Sequence, residues 1–294
     1  ASVESNPASG NQAEEYICLT NETPFAVDVS GWRIEWAVEH VMKAGTVILA
    51  SNVMYLSPDV AAFRARTTGP RGGQGLLVQG GYKVQLSARG ETLALRADRG
   101  RLVHANTYAG APSLAQRFLR VTELMYHPSA VAGNTNGAEE FEFIELTNIP
   151  TNQSFNLTGV RFINGVEFDF PSGGDTAMSP GQHFLVVKNG EEFASRYGWN
   201  LPIVVGQYKG SLENSGERLQ LVDADGEEIL DFSYDNNWHP ITDGLGFSLV
   251  VVDENAEPDA WGRKSQWRPS GRLGGSPSTD DPPPLAFALY CLMG

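Results

Sequence analysis

Histidine, the commonest general base at neutral pH, occurs five times in this chain of 294 residues. None of the five belongs to an HExxH pair, and the sequence contains neither a GxSxG nucleophile turn nor a Walker phosphate loop. The glycine-rich segment at 69–75 precedes strand-like residues and not a helix, so it predicts a connection and not a phosphate site. Because a catalytic triad can assemble from distant residues, a hydrolase acting on an extracellular polymer stays open as an alternative.

Carboxylates crowd two turns in the second half of the chain. Asp223, Asp225 and Glu227 share the first turn, and Asp253 and Asp259 share the second. Loop carboxylates are the ligands that calcium prefers, although the EF-hand pattern is missing here. These five residues make a calcium-stabilised adhesion module a further alternative. No other cofactor is predicted.

Two tryptophans in loop-like sequence, Trp199 and Trp261, are candidates for stacking on a glycan ring. Tryptophan in a β-sandwich more often packs in the core or at its rim. Glycan binding and core packing are therefore the competing interpretations of these two residues.

The segments that must position these groups have the pattern of short strands. Runs of β-branched and aromatic residues end at turn residues, and helical periodicity is nearly absent. The turns at 97–100 and 223–226 predict hairpins. A short helix is expected at 57–66, with Ser57 as its cap, and another at 191–197. The strands predicted in the second half are 142–146, 182–187, 218–222, 228–234 and 246–252.

Two stretches of the chain are versions of one another. Residues 80–95 align without a gap on residues 206–221, and eight of the 16 pairs are identical. Residues 16–21 match residues 143–148 in nearly the same register. A repeat of this length indicates a duplicated domain and not a solenoid.

The residues that both copies keep are interpreted as parts of the fold. Gly90 and Gly216 predict a turn that requires a positive φ, and Glu91 and Glu217 predict hydrogen bonds to backbone amides at that turn. The acids at 223, 225 and 227 are replaced by Ala97, Arg99 and Arg101 in the first copy. Any calcium site is therefore expected in the second copy alone.

Charge is distributed unevenly along the chain, whose net charge is −14. The first 120 residues carry +2 and the remainder carries −16. Nucleic-acid binding is not expected, because affinity for phosphates needs clustered basic residues. No apolar run approaches the ~20 residues of a transmembrane helix. Cys18 and Cys291 have no metal-ligand spacing, and the sequence leaves their disulfide state open.

The predicted fold is all-β: two tandem antiparallel two-sheet β-sandwiches, each with one short helix. The domains are placed at 1–118 and 119–279, with a linker or tail at 280–294. The first copy begins without the start of its first strand, so the chain is expected to be a fragment or a processed product. No signal peptide is found in it.

Two ordered series of motifs match those of a known family: 122–128, 142–148, 157–159, 210–221, 243–249 and 274–277 in the second copy, and 15–17, 28–32 and 90–95 in the first. On these residues the second copy resembles the lamin tail domain family, and the first copy resembles that family more loosely. The resemblance implies an immunoglobulin-like sandwich of the kind found in exported bacterial proteins, which brings no catalytic residues. The expected function is non-catalytic adhesion, targeting or binding of a protein or extracellular polymer, at the cell surface or outside the cell.

Overall fold

The described residues of the computed structural model are 2–7, 9, 11–131, 133, 135–149, 152–171, 176–198 and 204–282. The chain divides into two compact units. The first unit comprises Ala1–Ser113 and Asp225–Glu227, and the second comprises Leu114–Ala224 and Glu228–Gly294. The division precedes the boundary expected from the sequence by five residues, because a helix at Leu114–Phe118 packs on strands of the second unit.

The first unit is built from two four-stranded sheets and one short strand pair. Its strands are β1 (Ser2–Glu4), β2 (Tyr16–Thr20), β3 (Val27–Asp28), β4 (Arg33–Trp36), β5 (His40–Val41), β6 (Val47–Ile48), β7 (Val53–Ser57), β8 (Leu77–Gly80), β9 (Thr92–Arg96) and β10 (Leu102–Thr107). The sheet orders are β1-β2-β7-β8 and β10-β9-β4-β5, and β3 pairs with β6. The pair β7–β8 is parallel and the other pairs are antiparallel. The helix is α1 (Val60–Ala65), and a 3-10 turn covers Gln12–Glu14.

The core of the first unit lies between its two sheets. Ile17 on β2 and Leu56 on β7 belong to the same buried cluster as Ile34 on β4 and Leu93 on β9. Alternate residues of a strand point to opposite faces, so each sheet contributes one apolar face. Burying one such side chain contributes about 1.5–3 kcal/mol to folding.

The second unit has a six-stranded sheet, a four-stranded sheet and one short strand pair. Its strands are β11 (Leu119–Met125), β12 (Phe143–Asn148), β13 (Phe155–Asn156), β14 (Arg161–Asn164), β15 (Phe168–Asp169), β16 (Ala177–Met178), β17 (His183–Val187), β18 (Val204–Gln207), β19 (Arg218–Val222), β20 (Glu228–Ser233), β21 (Leu249–Val251) and β22 (Trp267–Pro269). The orders are β18-β17-β12-β11-β21-β22 and β15-β14-β19-β20, and β13 pairs with β16. The pair β17–β18 is parallel. The helices are α2 (Leu114–Phe118) and α3 (Gly190–Tyr197), and 3-10 turns cover Ala138–Phe141, Pro240–Thr242, Pro258–Ala260 and Lys264–Gln266.

The core of the second unit is also shared between its sheets. Ile144 and Val186 lie in one buried cluster with Phe162, Leu219 and residues of β20 and β21. The predicted all-β sandwich class is therefore confirmed. The short helix α2 was not predicted, because its five residues are too few to show helical periodicity.

The first predicted helix has a different cap from the one expected. Asp59, and not Ser57, accepts hydrogen bonds from Ala61 N at 2.7 Å and Ala62 N at 3.2 Å. Ser57 ends β7 instead, and its hydroxyl donates to Asp59 O at 3.1 Å. Asp59 is the better cap, because its carboxylate accepts hydrogen bonds from two amides of the first turn that have no partner within the helix.

The two shared glycines have the predicted backbone conformation. The φ of Gly90 is +87° and that of Gly216 is +101°. A Cβ atom at Gly216 would lie 2.4 Å from Tyr234 O, and one at Gly90 would lie 2.4 Å from Tyr108 O. Both the sign of φ and the close backbone approach therefore require glycine.

No helix among the described residues has the length and apolar character needed to cross a membrane.

Candidate functional site

The turns before β9 and β19 are held by the same kind of carboxylate. Glu91 Oε1 accepts a hydrogen bond from Ser87 N at 2.6 Å, and Glu217 Oε1 accepts one from Glu213 N at 2.9 Å. Tyr234 donates to Glu213 O at 2.9 Å and to Glu217 Oε1 at 3.2 Å. Both predicted backbone contacts are confirmed, and they place these acids in the framework.

A second pair of acids has a matching environment in the two units. Glu142 Oε2 accepts hydrogen bonds from Tyr208 OH and Leu212 N, both at 2.8 Å. In the first unit, Glu15 Oε1 accepts from Tyr82 OH at 2.9 Å and from Leu86 N at 3.0 Å. Both carboxyl groups are fully buried. Through these hydrogen bonds, Glu142 holds the turn before β19 and Glu15 holds the turn before β9.

Burial raises the pKa of Glu15 to about 8 and that of Glu142 to about 7, and the hydrogen bonds to the carboxylates oppose this rise. From the sequence, only Glu91 and Glu217 were recognised as an acidic position that both copies keep. The second shared position, Glu15 and Glu142, was missed. The alignment of residues 16–21 with 143–148 contained the signal, since its one-residue extension pairs Glu15 with Glu142.

The second unit contains a polar cavity of about 330 Å³. Glu123 on β11 and Glu145 on β12 lie directly opposite one another in the strand register, and both line the cavity. His183, from β17, lines it as well. Three neighbouring strands thus bring ionisable side chains to one face of the six-stranded sheet. The remaining wall comes from Thr122, Arg268, 250–255 and 279–281.

Glu123 and Glu145 also hold the loop that follows β22. Glu123 Oε1 accepts hydrogen bonds from Ser276 N at 2.9 Å and from the Ser248 hydroxyl. Glu145 Oε2 accepts from Ser278 N at 2.7 Å. A Cβ atom at Gly275, whose φ is +80°, would lie 2.2 Å from Glu123 Oε1, so the loop approaches this acid only because it lacks a side chain there.

The electrostatics of the cavity reflect burial and like charge. Burial first, and then repulsion from Glu145, raise the pKa of Glu123. Burial also raises the pKa of Glu254 at the rim, where neighbouring acids add to the effect. Burial tends to lower the pKa of His183, but the hydrogen bond and charge of Glu145, 3.2 Å from His183 Nδ1, outweigh it and raise that pKa. The site is therefore an acidic cavity that favours bound positive charge.

The five calcium candidates are dispersed. Asp223 is buried, Asp225 and Asp259 are exposed, and Asp253 lines the acidic cavity. Glu227 is buried and accepts hydrogen bonds from Gln85 Nε2 at 2.7 Å and Ala88 N at 3.2 Å. Within the described ranges, no group of three or more His, Cys, Asp or Glu side chains is arranged to hold a metal ion. Calcium binding stays a prediction.

Because no metal-holding group of acids occurs among the described residues, adding EDTA is expected to change the melting temperature by less than about 1 °C. A saturating ion that binds only the folded state would instead add about 2.7 kcal/mol or more. Differential scanning calorimetry with EDTA and with about 5 mM calcium measures this, since such an increment shifts a melting temperature by several degrees. A calcium-dependent rise that Asp253→Asn abolishes would contradict the expectation.

The glycan interpretation of Trp261 was wrong. The indole is fully buried, and Trp261 Nε1 donates to Val121 O at 2.8 Å. Trp267 Nε1 in turn donates to Trp261 O at 2.7 Å. Trp199 lies outside the described residues. Trp36 is exposed over 58% of its surface, so it is a tryptophan that could reach a glycan.

One histidine pair is relevant to the enzyme alternative. His127 Nδ1 lies 2.6 Å from Asp243 Oδ1, and both side chains are about one third exposed. A carboxylate at this distance orients an imidazole, as it does beside the general base of a catalytic triad. This contact joins residues 116 apart in the sequence.

Comparison with known proteins gives one family match. Residues 112–236 match the model of the Lamin Tail Domain family. No curated protein and no solved structure matches the chain. The match spans α2 and β11–β20, and it ends before Asp243 and the last two strands. Residues 112–236 are therefore similar to the immunoglobulin-like Lamin Tail Domain family.

Proposed function

We propose that this chain is a non-catalytic tandem module through which a larger exported bacterial protein binds a protein or an extracellular polymer. The lamin tail match over 112–236 carries the proposal, because a domain of this type suggests a binding module without catalysis. The bacterial, exported and extracellular parts of the proposal rest on the resemblance described in the sequence.

The tandem arrangement is supported by what the two units share. In both, an antiparallel pair is extended by a parallel strand, as β2–β7–β8 and as β12–β17–β18. In both, a buried glutamate accepts from a tyrosine hydroxyl and from a backbone amide four residues after that tyrosine. These matching features support a first unit that is a divergent copy of the lamin tail domain.

We assign the binding of a basic group to the acidic cavity of the second unit. Its rim carries exposed Asp253 and Asp280 and half-buried Glu254, whereas Arg268 is already paired with Asp281. Opposite charges a few ångströms apart attract strongly where water is partly excluded, so an arginine or lysine side chain of a partner fits this cavity.

The experiment is a titration of the full chain with a labelled hexa-arginine peptide, followed by fluorescence anisotropy. We expect saturable binding that weakens with salt, because salt screens exposed charges. Glu254→Gln should weaken it about fivefold, which corresponds to about 1 kcal/mol. Glu191→Gln is the matched control, because it removes one exposed charge on α3 away from the cavity. Equal weakening by both variants would contradict the assignment.

Hydrolysis is the second candidate function, and the His127–Asp243 pair is the observation that favours it. The purified chain is assayed against phosphodiester, ester and glycoside substrates. We expect no turnover. Turnover that His127→Ala abolishes, with the fold intact by circular dichroism, would overturn the non-catalytic proposal.

A further inference from the structure

The hairpin of β4 and β5 in the first unit has a strained tryptophan at its turn. The φ of Trp36 is +84°, a value that bulky L side chains rarely adopt. The hairpin of β14 and β15 occupies the same place in the second unit, where the positive φ of +81° falls on Gly165, which aligns with Ala37. Glycine adopts such a φ without steric cost. The hairpin itself therefore does not require strain at a tryptophan, and strain of this kind often marks a functional position.

The indole of Trp36 lies on the surface in an ordered setting. The residue is 58% exposed. The guanidinium carbon of Arg96 lies 6.0 Å from the centroid of the Trp36 ring, and Arg96 Nε donates to Glu35 Oε2 at 2.7 Å. A cation beside an aromatic ring stabilises one orientation of that ring. A large apolar surface is thus presented to water and not to the core.

This arrangement occurs in the first unit alone, although the strands around it are shared. Ile34 lies opposite Leu95, and Phe162 lies opposite Leu221 at the matching place in the second unit. The register of the two strand pairs is therefore the same. Glu35, Trp36 and Arg96 align with Ile163, Asn164 and Val222. Because the second unit forms the same strands without these three residues, the fold does not explain their presence.

A cavity of about 450 Å³ adjoins the indole. Trp36 lines it together with Arg33, Glu35, Glu39 and Val41, and of these five residues only Glu35 is half-buried while the others are exposed. We call this cavity the Trp36 cleft. Its volume lies within the range of about 300–1,000 Å³ that is typical of small-molecule sites, which combine aromatic surface with a few polar groups.

The charges around the indole balance. Glu35 and Glu39 carry two negative charges, and Arg33 and Arg96 carry two positive ones. Burial lowers the pKa of His40, the remaining ionisable residue of the lining, so it is uncharged at neutral pH. An uncharged ligand with many hydrogen-bonding groups fits such a site. The centre of a protein–protein interface is depleted of charged residues, so these surroundings favour a smaller polar ligand over a protein.

We propose that the Trp36 cleft binds a neutral glycan whose rings carry equatorial hydroxyl groups, as in β-1,4-linked glucose or N-acetylglucosamine. The C–H bonds on both faces of such a ring are axial, so each face is apolar and stacks on the indole. The carboxylates of Glu35 and Glu39 accept hydrogen bonds from hydroxyl groups at the ring edge, and the Arg33 guanidinium donates to them. This assignment rests on the proposed binding function and gives its polymer a chemical class.

The test is isothermal titration calorimetry of the full chain with cellohexaose and with N-acetylchitohexaose. We expect saturable binding of at least one of them with a Kd at or below about 1 mM. Oligogalacturonate should bind at least about tenfold more weakly, because the balanced charges of the cleft offer its carboxylates no net attraction. Tighter binding of the charged chain, or no saturable binding of either neutral chain up to about 10 mM, overturns the proposal.

Matched aromatic variants locate the site. Trp36→Ala should weaken glycan binding at least about tenfold, whereas Trp36→Tyr keeps an aromatic face and should bind within about threefold of the unchanged protein. Phe25→Ala is the matched control, because it removes another exposed aromatic ring of the first unit, 75% exposed, that does not line the cleft. It should leave Kd unchanged. Equal losses for Phe25→Ala and Trp36→Ala would contradict the assignment.

A glycine at position 36 separates binding from folding. Trp36→Gly should abolish glycan binding without lowering the melting temperature, because glycine adopts a φ of +84° without strain. Circular dichroism during heating measures this. A fall of more than about 3 °C would show that the indole supports the fold, and it would contradict a role in binding alone.

The Trp36 cleft belongs to the first unit and the acidic cavity to the second, so the two assignments can fail separately. Trp36→Ala should not change the affinity for hexa-arginine, and Glu254→Gln should not change the affinity for the glycan. Loss of glycan binding with hexa-arginine binding intact overturns the cleft alone. Analytical ultracentrifugation tests another occupant, since dimerisation that Trp36→Ala abolishes would mean that a second copy covers the indole, and it would overturn the glycan assignment.

Discussion

Replacing Trp261 by alanine is expected to lower the free energy of unfolding of the second unit by about 3–5 kcal/mol. The indole is fully buried in the main core cluster of that unit, so its removal leaves a cavity lined by apolar groups. The substitution also removes the donor to Val121 O, 2.8 Å away. Because a typical domain is stable by only 5–15 kcal/mol, the loss would be a large part of the total.

Urea denaturation with hydrogen exchange in the peptides of β12 and β17 measures this effect in the second unit. Trp36→Ala is the matched control, since 58% of that side chain is exposed, and it should change stability by less than about 1 kcal/mol. Trp261→Phe separates the two contributions. It keeps an aromatic ring but leaves Val121 O unpaired, which costs about 1–3 kcal/mol. Similar losses for Trp261→Ala and Trp36→Ala would contradict the buried position.

The second large effect is a pH dependence that one buried carboxyl group causes. Burial raises the pKa of Glu142 to about 7 in the folded state, and an exposed glutamate in the unfolded chain has its ordinary value of 4.5. The folded state therefore holds this proton more tightly than the unfolded state. The resulting stabilisation is fully present below pH 4.5 and is lost as the pH rises through 7.

Between pH 5.5 and pH 8, the contribution of Glu142 to the stability of the second unit should fall by about 2 kcal/mol. The amide in Glu142→Gln has no charge to lose, and its oxygen can still accept from Tyr208 OH and Leu212 N. The variant should therefore lack this part of the pH dependence, which hydrogen exchange in β12 at the two pH values measures. Glu191→Gln, an exposed change on α3, should retain it. A pH profile for Glu142→Gln that matches the unchanged protein would contradict the raised pKa.

Features that depend on a few adjacent residues were predictable from the repeat. Gly90 and Gly216 have the expected positive φ, and Glu91 and Glu217 accept hydrogen bonds from amides four residues earlier in the chain. The partners in such a turn are neighbours in sequence, so the pattern of side chains is enough to specify them. The strand assignments were similarly close, and residues 218–222 agree with β19 at both ends.

The cap of α1 shows how local competition limits such prediction. Ser57 and Asp59 are both good caps, and sequence position could not choose between them. The continuation of β7 through Ser57 left Asp59 as the first free position before the helix.

The amino-acid sequence was sufficient for the sandwich class, the repeated turns and the lamin tail resemblance, because periodicity and turn chemistry are properties of short segments. It could not assign Trp261, whose burial depends on a strand 140 residues earlier. Nor could it bring Glu123 and Glu145 together, because their pairing follows from the register of β11 against β12. The acidic cavity thus arises from which strands are neighbours in the six-stranded sheet. Such contacts join distant residues through packing, and that information is absent from any local window of the chain.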